Sequence, residues 1–144
     1  MSTTDLKALG RHFIEEMNKG KSAASAVMDE LCANDIVYHF PFSNDVRGIN
    51  DVKKNVMGVY DAFPDFHWTT EDQIVEGDRI TTRATMTGTM KGVFMGYPPT
   101  GKKMTVSVIN IARMAGGKIA EEWERFDTLG VMQQLGFIPA RGKG

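Results

Sequence analysis

Apolar residues recur at helical spacing through the first part of the chain. Leu6, Leu9, Phe13, Ile14 and Met17 share one stripe, and Gly20 follows where a helix would stop, which predicts a first helix over about 4–19. Val27, Met28, Leu31 and Cys32 mark a second, shorter helix. Residues 36–42 are β-branched and aromatic and run into proline, so they predict a short strand. A third helix follows, capped by Asn50 or Asp51, lined on one face by Val52, Val56, Val59 and Phe63, and ended by Pro64.

After Pro64 the period changes from helical to alternating. Strands are expected at about 65–76, 79–89, 103–114 and 118–126, with tight turns at Glu76-Gly77-Asp78 and Ala115-Gly116-Gly117-Lys118. The longer loop over 91–101 carries Phe94, Met95 and Tyr97, more apolar surface than a solvated turn needs. Asp127 can cap a last helical turn from Leu129 to Leu135, stopped by Gly136 and Pro139. Together these elements predict one α+β domain over residues 1–144, its curved antiparallel sheet covered on one face by helices. Ile109 and Ile111 alternate with Val106, Val108 and Ala112, so strand 103–114 is apolar on both sides. That pattern predicts a homodimer through the outer sheet face.

Composition narrows the function. In a chain of 144 residues, 42% apolar and 24% charged, one sizeable core is possible without staples. A net charge of -1 leaves no basic footprint for nucleic acid. No run of ~18 apolar residues could span a membrane, and the charges within Met1–Phe13 do not suit a secretory signal, so a cytoplasmic setting is expected. Apart from the Arg-Gly-Lys-Gly tail, no linker, repeat or low-complexity stretch interrupts the chain.

Several chemistries fail on their motifs. Gly96 to Lys103 resembles a phosphate loop, but it lacks the magnesium-binding hydroxyl, Pro98 and Pro99 remove amides, and a strand follows. His12, His39 and His67 lie on separate elements without ligand spacing, so no metal is expected. Cys32, on an apolar stripe, reads as a buried structural thiol, and no nucleophile elbow is present.

What survives is acid–base chemistry. Alternation along 118–126 puts Glu122, Glu124 and Phe126 on one face and Glu121, Trp123 and Arg125 on the other. If the first face is the helix-covered one, desolvation and mutual repulsion raise at least one carboxyl pKa toward neutrality, where it serves as a general base. Asn110 on the preceding strand, and either Tyr38 or His39 on the short strand, are candidate donors to a substrate oxygen. Phe40, Trp68, Val108 and Arg83 complete the candidate pocket for a hydrophobic small molecule. Simpler uses exist for each: carboxylates on a last strand are often solvated, and Arg83 suits an outward salt bridge.

Ala62-Phe63-Pro64-Asp65-Phe66, Val75-Glu76-Gly77-Asp78-Arg79, Met95 to Lys102, and Gly117 to Trp123 through Gln134-Leu135-Gly136 give nearly the whole chain a likeness to a known family. It resembles the SnoaL-like polyketide cyclases, which share the cone-shaped fold of nuclear transport factor two and ketosteroid isomerase. The resemblance implies cofactor-free intramolecular aldol cyclisation, with Glu124 as acid and base and with Val108 and Asn110 as cavity residues on the preceding strand. The family's antibiotic cyclases carry aspartate at the first of these positions and glutamine and histidine at the other two. Glutamate lengthens the base by one methylene and Val108 removes a polar contact, which implies a different substrate.

Overall fold

Ser2 opens the first helix, α1 (Thr3–Met17), with a capping box: its hydroxyl accepts from the Asp5 amide at 3.1 Å, and its own amide donates to Asp5 Oδ2 at 3.2 Å. The far end of α1 is tied to the sheet. Asn18 donates to the Trp68 carbonyl and accepts from the Trp68 amide, both at 2.8 Å, and the Tyr60 hydroxyl donates to the Met17 carbonyl at 2.7 Å. The computed structural model describes residues 1–139, and the Arg-Gly-Lys-Gly tail lies outside them.

Helix α2 (Lys21–Leu31) leads directly into strand β1 (Cys32–His39), then β2 (Val46–Arg47), helix α3 (Ile49–Ala62), and strands β3 (His67–Glu76), β4 (Arg79–Thr89), β5 (Lys103–Ala115) and β6 (Lys118–Phe126), with helix α4 (Thr128–Gln134) last. The strands form one six-stranded sheet in the order β2-β1-β6-β5-β4-β3. All neighbours are antiparallel except β1 and β6, which run parallel. Register shifts between Cys32 and Val37, Thr70 and Asp72, and Arg113 and Met114 add local twist, and the sheet curls around α1–α3 without closing.

Three boundaries differ from the sequence reading. Cys32 leaves the helical stripe and begins β1, where its side chain is still buried. The strand ends at His39, so Phe40 and Phe42 lie in the connection that follows. Helix α3 is capped by neither Asn50 nor Asp51 but begins after Gly48, whose φ of 85° suits glycine and whose amide donates to the Ile36 carbonyl at 2.8 Å. That bond holds the helix start against β1. The β5–β6 turn takes the expected form, with Gly116 and Gly117 both at positive φ.

Alternation is kept on the long strands. On β5, Met104, Val106, Val108, Ala112 and Met114 are buried inward, while Ile109 is 44% exposed on the outer face. Inner sheet residues and the faces of α1–α3 form two continuous apolar clusters, and a cavity opens between them.

Candidate active site

The cavity holds about 1160 Å³ of empty space, counted out to its open mouth. Aromatic and aliphatic side chains make up most of its walls. Phe126 of β6 meets Phe40 at 6.3 Å and Phe42 at 5.4 Å between ring centroids, and Phe94 reaches in from the 91–101 loop to contact Phe42 at 5.8 Å and Phe63 at 5.2 Å. This inward role explains the loop's aromatic content. Tyr97 of the same loop stacks on Phe137 at 3.9 Å, which fastens the loop to the segment after α4.

Into this apolar space β6 projects two carboxyls, and both Glu122 and Glu124 line the cavity. Glu124 is only 4% exposed, and its Oε2 accepts a 2.8 Å hydrogen bond from the Tyr38 hydroxyl. Asn110 stands directly opposite Glu124 in the β5–β6 register and also lines the cavity. Burial raises the Glu124 pKa to about 7, while the Tyr38 and Asn110 side chains act in the opposite direction by favouring the ionised form. Glu122 rises to about 8, first through burial and then through repulsion by Glu124. The surface Glu122 retains faces the cavity it lines. The Tyr38 phenol is itself pushed well up, first by burial and then by the two carboxylates, so it stays a proton donor.

Tyr38 and His39 are adjacent on a strand, so their side chains take opposite faces. Tyr38 takes the inner one. His39 lies on the outer face, and its assignment as an oxyanion donor is corrected accordingly. Its Nδ1 is 2.7 Å from Asp45, its Nε2 is 2.7 Å from Glu121, and its ring stacks on Trp123 at 5.3 Å. The Glu121 hydrogen bond, followed by that from Asp45, raises the His39 pKa. Arg83 is likewise outside the pocket: it is exposed, opposite Ile109 in the register, because strand parity gives the inward positions to Thr82 and Ala84. Val108 points inward but is packed wholly into the core and does not line the cavity. Phe40, Trp68 and Phe126 do line it.

Some lining residues escaped the sequence reading. Thr82 pairs with Asn110 across β4–β5, and its parity with Ile80 and Met86 was the available signal. Asn55 sits on α3, one residue off the apolar stripe, and its Oδ1 is buried without a hydrogen-bond partner, as is Trp68 Nε1. Among the described residues no lysine, arginine or histidine lines the cavity, and no cluster of three or more metal-ligating side chains occurs.

A curled sheet around helices, with a carboxyl and its hydrogen-bond donors inside, defines a cavity-bearing domain of ketosteroid isomerase-like fold. The family model for SnoaL-like polyketide cyclase matches residues 8–135, and the chain belongs to that family. Among solved structures it is similar to a candidate SnoaL-like polyketide cyclase from Jannaschia sp. CCS1, with 25% identity over 95% of this chain and 94% of that one at a TM-score of 0.84. It is also similar to AclR of Streptomyces galilaeus, described as a candidate hydroxylase, with 29% identity over 96% and 100% of the two chains at a TM-score of 0.82. A protein with a ketosteroid isomerase-like fold from Catenulispora acidiphila DSM 44928 shares that fold, with 17% identity over 89% and 92% of the chains at a TM-score of 0.72. No curated protein matches. No helix among the described residues is long and apolar enough to cross a membrane.

Proposed function

We propose that the protein is an acid–base catalyst acting on a small hydrophobic carbonyl compound, in the manner of a polyketide cyclase, with Glu124 as the base. One observation carries the reading: a buried carboxyl with a pKa near 7 is held by Tyr38 at 2.8 Å and faces an aromatic cavity beside an amide donor. Glu124 removes a hydrogen α to the substrate carbonyl, and the C–H electrons move into the enolate. Asn110 donates a hydrogen bond to its oxygen. The enolate carbon then attacks a second carbonyl of the same molecule, and Glu124 returns its proton to the new alkoxide. No atoms are gained or lost.

Tyr38 has a different part in this scheme from the one its residue type first suggested. Its hydroxyl proton is committed to Glu124, so it positions and tunes the base rather than receiving the substrate oxygen. Fold likeness alone fixes no substrate, and the candidate hydroxylase among the relatives belongs to the same architecture. Outside the cavity, Ile109 and the outer face around it form the surface proposed to meet a second copy of the chain.

The test is α-hydrogen exchange of 2-tetralone in D2O, followed by proton NMR. The protein should accelerate loss of the α-signal above buffer. Exchange at the buffer rate under saturating protein would overturn the acid–base reading in favour of a binding module.

A further inference from the structure

The cavity contains one carboxyl more than a single-base mechanism uses. Glu124 accepts from Tyr38 and faces Asn110, whereas Glu122 has no hydrogen-bond partner among the described residues and turns its carboxyl into the same space. That asymmetry is geometric. A donor seated on one carboxyl, with the Asn110 amide opposite it, and none on the other make Glu124 the group that ionises and Glu122 the group that keeps its proton.

We propose that Glu122 is the proton donor of the site, a neutral carboxylic acid that protonates the substrate's carbonyl oxygen while Glu124 takes the neighbouring α-hydrogen. The proposal rests on the reading of Glu124 as base. Positions two apart on a strand place their side chains on one face about 6–7 Å apart. An O=C–C unit, with bonds of about 1.2 and 1.5 Å, flanked by two contacts of about 2.6–3.2 Å, fits between such groups when bent. The C–H electrons become the new C=C bond, the C=O π electrons become an O–H bond, and the proton for that bond leaves Glu122. Glu124 ends neutral and Glu122 ionised, so the cavity carries one negative charge before and after, and no free enolate forms beside a carboxylate. When the enol attacks the second carbonyl, its O–H proton returns to Glu122 and the Glu124 proton passes to the new alkoxide.

The surroundings of Glu122 suit a neutral acid. From β1 the Tyr38 phenol and the buried Cys32 thiol approach it, and from β5 it faces Ala112 and, one pair along, Asn110. The wall of the cavity that Glu122 enters takes Met28 from α2 and Leu9 and Phe13 from α1, and among the described residues its only side-chain amide from α3 is Asn55. Burial is the main cause that pushes the Cys32 thiol far up, with Asp29 raising it further and Lys118 opposing. The repulsion from Glu124 and a pKa near 8 agree with this geometry.

Two measurements decide it. Carbon-13 NMR of glutamate side-chain carboxyls in the intact protein, assigned with Glu122→Gln and Glu122→Asp, should show Glu122 protonated at pH 7 and titrating near 8. Ionisation already complete at pH 6 would overturn the assignment. In 2-tetralone exchange, Glu122→Gln keeps a hydrogen-bond donor but has no transferable proton. The rate should fall on the order of 10²-fold, and the alkaline limb near pH 8 should disappear. A Glu122→Gln variant with the wild-type rate and limb would overturn the proposal while leaving Glu124 as base. If wild-type protein does not exchange 2-tetralone, the acid–base reading fails on its own, and the carboxyl titration still decides the protonation of Glu122.

Discussion

The Tyr38 hydroxyl reaches past Glu122, its partner in the β1–β6 register, and donates at 2.8 Å to Glu124 two residues further along. This one bond separates the two cavity carboxyls electrically. It lowers the pKa of Glu124 and leaves Glu122 with burial and repulsion alone.

Replacing Tyr38 by Phe removes the donor and keeps the ring. Glu124 should then titrate above its value of about 7, moving the acidic limb of the exchange profile to higher pH and lowering the rate at pH 7. The pH profile of 2-tetralone exchange checks this. An unmoved limb would mean that the hydrogen bond does not tune the reacting group.

Stability should carry the signature of the raised carboxyls. The unfolded chain releases both protons near the ordinary value of 4.5, whereas the folded protein releases them near 7 and 8. Between these limits the native state binds more protons, so stability falls as pH rises from about 4.5 to 8 and levels off above. The slope is at most ~1.4 kcal/mol per pH unit for each carboxyl. Urea unfolding across pH 5 to 9 should show Glu124→Gln flattening the slope and exceeding the wild type in stability at pH 8. A variant equally steep would place Glu124 in water.

His39 should matter to stability and not to chemistry. Its pKa is raised by Glu121 first and also by Asp45, so its contribution is complete below the unfolded value near 6.5 and is lost as pH rises through the folded value. His39→Gln is expected to cost about 1 kcal/mol at pH 5.5, as for a well-placed ion pair, and progressively less above neutrality. Exchange of 2-tetralone should stay within twofold. A loss comparable to that of a cavity variant would restore His39 to the site.

The proposed outer-face pairing is checked by light scattering at micromolar concentration. Wild type should be a dimer, and Ile109→Lys, which puts a charge on the 44% exposed outer position, should be a monomer. A monomeric wild type would overturn the pairing and leave Ile109 as an exposed apolar side chain.

Much of this arrangement was legible because strand parity is rigid. Once β6 was recognised, Glu122, Glu124 and Phe126 had to share one face and Trp123 the other, and once β1 was recognised only one of Tyr38 and His39 could enter. Which face was inner needed the parallel pairing of β1 with β6, a contact between residues some 86 positions apart. Local patterning carries no signal for that. Val108 and Arg83 show two further limits. Inward parity does not separate a core position from a cavity wall, and a single arginine on a half-buried strand carries no mark of its face. Phe94 was visible only as a surplus of aromatic surface in a loop, because its packing partners Phe42 and Phe63 come from distant connections.

The central claim, that Glu124 is the base, is tested most directly by Glu124→Gln with binding and exchange measured on the same sample. Quenching of tryptophan fluorescence, with Trp68 in the cavity wall, reports 2-tetralone binding. Affinity at pH 7 should stay within about threefold, while α-hydrogen exchange falls by ~10²–10⁴. A folded Glu124→Gln protein that binds 2-tetralone and exchanges it at the wild-type rate would contradict the assignment.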